Sequence, residues 1–440
     1  MSTPGRVKKS LNFSFADGLF ASAMTGLTAD YITPYALALQ APVRQIGFLS
    51  ALPNLLSSLV QLGSAGLADR LKSRKKIIII FVLLHLLMGI PIILIPYIFK
   101  AQPVLSLVIF VTLFTSLNAF AGPAWASLMS EYIPYKLRGK YFGWRNKIMA
   151  AVTIFSAFLA GFILQHSKNN ILKGFTIIFG AAVIFRFISW CFLTRMYEPP
   201  YRPNPRAYFS FLDFIKRVRE SNFAKFVIFA ASLTFCVNLA SPFFSVFMIR
   251  DLKFNYLTYT IVVTVVTVAQ IITFDRWGRH ADKVGNVKVL RLTSFIIASL
   301  PLWWIFNQSP LYLVFAQILS GFAWSGFNLC ATNFIYDAVS PPKRVRCIAY
   351  FNVFSGIGVC LGALCGAFLV DILPALLGYK ILSLFLLASV LRFAVVFIFS
   401  GRIKEVRKTE HISSKDLFYS VIGIKPMLGV TQDSRQIIRK

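Results

Sequence analysis

The sequence predicts an all-α polytopic membrane protein, with twelve transmembrane helices arranged as two six-helix pseudo-repeats. Of its 440 residues, 57% are hydrophobic and only 14% are charged, so a soluble chain of this length could not bury so much apolar surface. The apolar residues form segments long enough to span a bilayer, and the basic residues gather in alternate connections. Short motifs also repeat between the two halves of the chain, which indicates a duplication.

Twelve apolar segments follow one another along the chain, each close to the roughly 20 residues that cross the hydrocarbon core as a helix. An even number of crossings places both termini on one side of the membrane. The predicted spans are 13–39, 45–68, 77–99, 104–130, 148–166, 174–193, 226–248, 256–274, 289–306, 311–338, 348–370 and 376–400.

The formal net charge of +30 would suggest a nucleic-acid partner in a soluble protein. Here the cations lie in alternate connections and in both tails, as the positive-inside rule predicts for cytoplasmic segments. We therefore expect no nucleic-acid partner, and we expect both termini on the cytoplasmic side of the inner membrane. The inside connections contain Arg70, Lys72, Arg74, Lys75, Lys76, Lys136, Arg138, Lys140, Arg145, Arg276, Arg279, Lys283, Lys288, Lys343, Arg344 and Arg346.

The sequence offers no candidate metal, cofactor or catalytic site. Its six cysteines lack CxxC spacing, and its four histidines are scattered along the chain. No GxxxxGK[ST] phosphate-binding loop is present, which argues against a pump driven by its own ATPase. We therefore expect neither an enzyme nor a bound cofactor.

Four parts are predicted along the chain: an N-terminal six-helix half (1–193), a cytoplasmic linker (194–225), a C-terminal six-helix half (226–400) and a basic cytoplasmic tail (401–440). The linker opens with the proline-rich string EPPYRPNPR and continues with an apolar stripe at helical spacing. Basic residues flank this stripe, which predicts an amphipathic helix on the anionic inner leaflet of the bilayer.

The duplication is visible as pairs of residues that keep their spacing in both halves. The members of each pair are about 208 residues apart. They are Asp30 with Asn238, Pro34 with Pro242, Pro134 with Pro342, and Arg138 with Arg346.

A charged turn between the eighth and ninth spans reads GRHADKVGNVK from Gly278 to Lys288. Its Gly278, Asp282, Lys283, Gly285 and Lys288 follow the pattern G-x-x-x-D-R-x-G-x-x-K. This turn resembles the signature loop of the major facilitator superfamily.

A second copy of the loop, AGLADRLKSRKK at 65–76, keeps Asp69 and Arg70 but has Ala65 and Lys72 where the family has glycine. The segment from Pro123 to Gly143, with E-x-x-P at Glu131–Pro134 and R-G at Arg138-Gly139, resembles the family's connection between the fourth and fifth spans. Strings similar to NFAKFVIFAASLTFCVNLASPFF occur in poorly characterised bacterial members. The resemblance covers roughly residues 10–400.

The resemblance implies the major facilitator fold and secondary active transport of a small organic solute, in which two six-helix halves rock around one central site. It also implies a cytoplasmic latch that holds the halves together in the outward-open state. The latch positions are Asp69, Arg70, Glu131, Arg138, Gly278, Asp282, Lys283, Gly285 and Arg346. The fifth span lacks the G-P…G-G pattern of many proton-coupled drug antiporters, so drug export is not favoured.

Asp30 is the principal candidate for substrate or proton binding. An ionised carboxylate inside a membrane span is costly, so Asp30 should face a wet cavity or a cation, or be protonated. The family's first span lines the central cavity, so Asp30 would bind a cationic substrate group or carry a coupling proton; a packing carboxylate is the alternative. Asn238 would add a neutral contact from the other half, and Pro34 and Pro242 would help their helices bend.

Further polar residues on cavity-lining spans are candidates for substrate binding, and each could equally form a hydrogen bond between helices. They are Asn118, Trp125, Asn328, Asn333, Tyr336 and Asn352.

Three other charged residues inside spans are expected to be structural. Asp17 is expected at the headgroup level or as a stabiliser of the helix start. Arg186 and Arg392 are expected to reach the cytoplasmic interface with their long side chains, or to pair with a latch acid.

Two functions from different classes remain open. A monomeric secondary transporter should show saturable, gradient-dependent flux, proton-coupled or not. A non-transporting membrane scaffold or assembly partner on the same fold should co-purify with another protein and tolerate Asp30→Asn.

Overall fold

The structure is a computed structural model that describes residues 3–200, 221–339, 344–406 and 414–422. Regular structure in these ranges is helical, apart from one isolated bridge between Leu376 and Tyr379. Eleven helical segments of the described chain are long and apolar enough to cross a membrane.

The first crossing is interrupted and more polar than the other eleven. Helix α1 (Thr3–Thr28) begins ten residues before the predicted span and is followed, after a turn at 29–31, by α2 (Ile32–Ala38). Counted as one crossing, α1 and α2 complete the twelve that the sequence predicts.

All of the remaining helices but the last follow the predicted spans, and most of them are longer at one end; the last lies in the C-terminal tail. They are α3 (Val43–Leu71), α4 (Arg74–Ile98), α5 (Pro103–Tyr132), α6 (Tyr135–His166), α7 (Ile171–Thr194), α8 (Asn222–Asn238), α9 (Ser241–Val246), α10 (Tyr256–Val284), α11 (Asn286–Phe306), α12 (Pro310–Ala338), α13 (Arg344–Ile372), α14 (Lys380–Ser400) and α15 (Ser414–Ile422). A π-helical turn, Phe247–Asp251, continues α9.

The first and seventh crossings break at matching positions. Proline lacks a backbone N–H, so it is tolerated in the first turn of a helix but interrupts a helix interior. Pro34 lies in the first turn of α2, and Pro242 lies in the first turn of α9. Each crossing therefore consists of two helices joined by a short turn.

The third crossing of each repeat (α4 and α11) is stabilised at its start by a carboxylate. In each repeat this carboxylate comes from the segment that follows the sixth crossing (α7 and α14). Glu198, which follows α7, accepts hydrogen bonds from the Arg74 backbone N and the Ser73 hydroxyl, both at 2.6 Å. Glu405, which follows α14, accepts one from the Val287 backbone N at 2.8 Å. A negative charge is favourable at a helix N-terminus, so the duplication extends to the helix caps.

Gly285 separates α10 from α11 within the signature turn. Its φ of 88° lies in a region that residues with a Cβ rarely adopt. The glycine of the family pattern is therefore required here by the backbone itself.

The chain forms two compact units. Unit 1 comprises Met1–Tyr208, Thr234–Thr264 and Phe351–Leu384, and unit 2 comprises Phe209–Leu233, Val265–Tyr350 and Phe385–Lys440. Unit 1 thus includes parts of four C-terminal crossings in addition to the N-terminal half. The four-part division drawn from the sequence stays a prediction, and residues 201–220, which hold most of the predicted linker helix, lie outside the described residues.

Within unit 1, α1 packs against α6 and α7, and α5 packs against α3 and α4. Helix α4 also contacts α7, and the short α9 contacts α2 and α3. Helix α1 and α7, which carry Asp17 and Arg186, are therefore direct neighbours.

Within unit 2, α11 packs against α12, and the described part of the tail folds onto the same unit. Leu417 and Val421 of α15 are buried. His280 Nε2 lies 2.9 Å from Ser420 Oγ, and the Phe418 ring meets Phe322 edge-on at 6.2 Å. This part of the tail is a packed element of the fold.

Candidate functional site

Asp30 occupies the turn between α1 and α2. Its side chain is exposed and forms no hydrogen bond or ion pair with any described residue. Its backbone carbonyl accepts a hydrogen bond from Tyr259 Oη of α10 at 2.6 Å. Its role in substrate or proton binding stays a prediction.

Tyr31, the next residue, is fully buried and joins three helices. Its Oη lies 2.5 Å from the Ala157 carbonyl oxygen of α6 and 2.6 Å from Thr260 Oγ1 of α10. The Tyr31 and Tyr259 rings meet edge-on at 6.3 Å. We call this set (Asp30, Tyr31, Ala157, Tyr259 and Thr260) the tyrosine gate.

Small residues hold the helices around the tyrosine gate in close contact. A Cβ added at Gly161 of α6 would overlap Thr260 Oγ1, and one added at Gly47 of α3 would overlap Ala367 of α13. Gly362 and Gly366 of α13 would likewise overlap backbone carbonyls of α8 and the turn that follows it. Close helix approach through small residues is a common packing mode in membranes.

A second polar cluster lies nearer the N-terminus of α1. It surrounds Asp17, which is only 5% exposed. Ser189 of α7 donates a hydrogen bond to Asp17 Oδ1 at 2.6 Å. Arg186 donates to the same Ser189 hydroxyl at 3.2 Å and to Asn118 Oδ1 of α5 at 2.6 Å. We call Asp17, Asn118, Arg186 and Ser189 the Asp17 network.

The Asp17 network corrects two expectations. Asp17 does not lie exposed at the headgroup level, and Arg186, 7% exposed, does not reach the interface; both are buried against partners on other helices. Asn118 accepts its hydrogen bond from Arg186 and so joins two helices. Arg392 of α14 is also buried and donates to the Ile297 carbonyl oxygen at 3.1 Å.

Arg145 was assigned by sequence to a basic connection, and the structure places it inside α6. It is buried at 8% exposure, and its guanidinium lies over the Trp125 ring of α5 at 4.9 Å. Its Nη2 donates to the Ser14 carbonyl oxygen of α1 at 3.2 Å. Trp125 is therefore part of a cationic, aromatic contact between α5 and α6.

Two cavities lie within unit 1. One, of about 30 Å³, is lined by α1, α2, α4, α5 and α7 and borders Arg186. The other, of about 350 Å³, is lined by Leu11, Tyr132, Ile133, Pro134, Leu137, Tyr141 and Trp144 from α1, α5, α6 and the α5–α6 connection.

The other binding candidates are not gathered at one point by the described contacts. Asn238 is half-buried and donates to the Thr234 carbonyl oxygen of its own helix at 2.9 Å. Asn333 and Asn352 are half-buried, and Tyr336 is 44% exposed beneath the Arg344 guanidinium at 5.6 Å. Their roles in binding stay predictions.

Among the first-half latch positions, Glu131 forms a defined ion pair. Arg74, at the start of α4, donates to both Glu131 carboxylate oxygens, at 2.6 and 2.9 Å. Arg138 donates to the carbonyl oxygens of Ser130 and Ile133, while Asp69 and Arg70 are exposed at the end of α3. Arg74, which the sequence suggested only as a topology-setting cation, is the partner that was missed.

In the second half, an equivalent pair of side chains joins α11 and α12, the helices that correspond to α4 and α5 in the first half. Asn286, the first residue of α11, donates to Asp337 Oδ2 at 2.8 Å. Asp282 is exposed and Lys283 half-buried near the end of α10, where Gly278 also lies. The Arg346 side chain lies outside the described residues, so the latch between the halves stays a prediction.

Comparison with solved structures found similar folds at low sequence identity. Nucleoside transporter NupG has a TM-score of 0.66 at 15% identity, covering 92% of this chain and 100% of that one. A bacterial homologue of the human lysosomal transporter Spinster, in an inward-facing and unoccupied conformation, has a TM-score of 0.66 at 14% identity, with 93% and 100% coverage. The human organic anion transporter MFSD10 (TETRAN) has 0.59 at 12%, with 91% and 100%.

Comparison with curated protein sequences found no significant match. The family model of the Major Facilitator Superfamily matches residues 13–247 and again 226–431. These two matches span nearly the whole chain and repeat the duplication seen in the helix breaks and caps. The predicted fold class and the multi-pass membrane architecture are confirmed, and the chain belongs to the Major Facilitator Superfamily, a family of membrane transporters and not of enzymes.

Proposed function

We propose that the protein is a secondary active transporter that moves a small organic solute across the cytoplasmic membrane by alternating access. It works as a monomer with both termini in the cytoplasm, and its linker lies near the anionic inner leaflet. The tyrosine gate is the observation that supports the proposal. Its hydrogen bonds join the first crossing to α10 at the turn that interrupts the first crossing.

The gate is held by a small number of polar contacts. Tyr31 and Tyr259 each contribute hydrogen bonds across helices, and a typical buried hydrogen bond contributes about 1 kcal/mol net. Two states that differ by a few kcal/mol interconvert readily when a solute prefers one of them. The gate is therefore strong enough to close a pathway and weak enough to open.

The names of the structural neighbours support a solute of small organic type. They describe transporters of nucleosides and of organic anions, which share the fold at low identity. Helices broken near the middle of the bilayer are also the usual place for a solute or coupling-ion site in secondary transporters.

Asp30 is the proposed proton carrier at the gate. Its exposed carboxylate lies in the helix break, and its own backbone carbonyl takes part in the gate through Tyr259. Protonation would remove a charge that is costly in the closed gate. Proton binding and gate closure would thereby be coupled.

The proposal is tested with purified protein in liposomes. Uptake of a panel of labelled organic solutes is measured with and without an imposed proton gradient, against protein-free liposomes. We expect saturable uptake of one solute class that responds to the gradient. Equal, unsaturable leakage of all solutes, together with stable co-purification of another membrane protein, would instead favour the scaffold function.

A further inference from the structure

Three charged side chains are buried together where α1, α6 and α7 meet. Asp17, Arg145 and Arg186 are 5%, 8% and 7% exposed. Both guanidiniums lie close enough to Asp17 to interact with its charge. The group contains two positive charges and one negative charge.

Neither arginine forms a direct ion pair within the described chain. Arg186 reaches Asp17 only through the Ser189 hydroxyl, and its other hydrogen bond goes to the neutral Asn118. Arg145 donates to a backbone carbonyl and lies on an indole ring. One carboxylate cannot balance both guanidiniums, and buried unbalanced charge is unfavourable.

Both arginines have spare hydrogen-bonding capacity, but Arg186 borders the cavity of about 30 Å³, so Arg145 is the one considered for an organic ligand. Its Nε is buried without a partner in the described structure. Space for its guanidinium exists because Gly18 has no side chain, since a Cβ there would overlap Arg145 Nη2. A guanidinium presents a planar set of donors that suits carboxylate and phosphate oxygens.

The larger cavity is lined by residues that precede this arginine on α6. Trp144 precedes Arg145, and Tyr141 lies one helical turn earlier on α6; both line the cavity of about 350 Å³. Trp144 stacks on Phe15 of α1 at 4.9 Å, next to the Ser14 carbonyl that Arg145 contacts. The buried Tyr141 hydroxyl has no partner among the described residues.

We infer that the transported solute is an organic anion with an aromatic or apolar body, and that Arg145 binds its anionic group. The body packs in the cavity against Tyr141 and Trp144. The cavity volume falls within the range of small-molecule sites, which combine apolar walls with a few polar groups. This inference rests on the proposed transport function and gives its substrate class.

Binding is measured first, on the full-length protein in detergent, by thermal unfolding and equilibrium dialysis. The probes are 1-naphthoate, its neutral amide and the matching 1-naphthylmethylamine, followed by a panel of aryl carboxylates and aryl phosphate monoesters. We expect saturable binding of anions, weaker binding of the neutral amide, and no binding of the amine.

Arg145→Gln should weaken anion binding about tenfold or more, because a charged hydrogen bond contributes on this order. It should leave binding of the neutral amide unchanged, and Arg145→Lys should retain part of the anion affinity. Arg402→Gln is the matched control, because Arg402 also lies over a ring, at 5.6 Å from Phe399, but is exposed in unit 2. If Arg145→Gln does not fold, Trp144→Ala removes an exposed cavity wall and should weaken the anion and the amide alike.

Amine binding as tight as anion binding, unchanged anion affinity in Arg145→Gln, or no anion binding across the panel would overturn the inference. Flux in liposomes separates it from the proposed function. Saturable flux of neutral or cationic solutes only would remove the anion assignment and keep the transporter. Anion binding that depends on Arg145, without saturable flux of any solute, would keep the site and remove the transporter.

Discussion

Asp17 and Asp30 lie on the same transmembrane crossing, thirteen residues apart, yet they have opposite surroundings. Asp30 is an exposed residue in a helix break, and its carboxylate forms no hydrogen bond or ion pair with a described residue. Asp17 is buried, accepts a hydrogen bond from Ser189 and lies between two arginines. The surroundings of a membrane carboxylate therefore depend on the partners that other helices supply.

We expect the two residues to have different roles. Asp17 balances positive charge inside the N-terminal helices and so stabilises the fold. Asp30 forms no ion pair with a described residue, and we propose that it binds and releases a proton. Substitutions should therefore separate stability at Asp17 from transport at Asp30.

The largest effect is expected from Asp17→Asn. The change removes the one negative charge near two buried guanidiniums, and loss of one partner of a buried charge pair typically costs about 3 kcal/mol. The apparent free energy of unfolding in mixed micelles should fall by about that amount. A loss no greater than that of Asp30→Asn would end the contrast between the two carboxylates.

Combining Asp17→Asn with Arg186→Gln measures the energetic coupling between these two side chains. Removing Arg186 as well lowers the positive excess that Asp17→Asn creates, so the double variant should lose about 1 kcal/mol less than the two single losses added together. The three unfolding free energies measure this coupling. Strict additivity would show that Ser189 does not link the two charges.

Tyr31→Phe should have a smaller effect, confined to the gate. The hydroxyl contacts both Ala157 and Thr260, and its removal should cost about 1 kcal/mol. Tyr31→Phe should also speed alkylation of the buried Cys360 on α13. The alkylation rate is measured in a variant in which Cys360 is the only remaining cysteine.

Tyr35→Phe is the matched control for the gate. Tyr35 is buried and its hydroxyl donates to the Ile92 carbonyl oxygen at 3.0 Å, within the N-terminal helices alone. It should lose similar stability without faster Cys360 alkylation. Equal alkylation rates in the two variants would show that Tyr31 does not hold the gate closed.

Asp30→Asn should change stability least, by less than about 0.5 kcal/mol, as expected for an exposed side chain without partners. Its effect should appear in transport, where solute uptake no longer responds to an imposed proton gradient. Uptake that follows the gradient as in the unchanged protein would remove Asp30 from the coupling mechanism.

The crossings and the duplication were predictable because they depend on local composition. A run of about 20 apolar residues must span the bilayer as a helix. Three proline and glycine positions mark breaks or turns, whereas Pro53, Pro123 and Pro301 lie inside continuous helices. Pro34, Pro242 and Gly285 all lie at helix starts or between helices, as their backbone chemistry requires.

Arg145 and Arg74 show where sequence reasoning was insufficient. Both lie in basic strings next to apolar segments, so both were assigned to connections that set topology. Helix α6 begins ten residues before Arg145, about 15 Å along the axis at 1.5 Å per residue. The available signal was the aromatic string YFGW directly before it, because Tyr and Trp are enriched at the membrane interfaces where spans begin.

The sequence alone predicts the family, the twelve crossings, the two-fold repeat and the alternation of basic connections, because each depends on local composition and short motifs. Only the tertiary structure decided that Asp17 is buried between two arginines, that Arg186 binds Asn118 and that Tyr31 meets Thr260. These pairs come from crossings far apart in sequence, and whether a charge is balanced depends on which helix packs beside it. Helix packing, and not composition, therefore distinguishes the stabilising carboxylate from the one that is free to act.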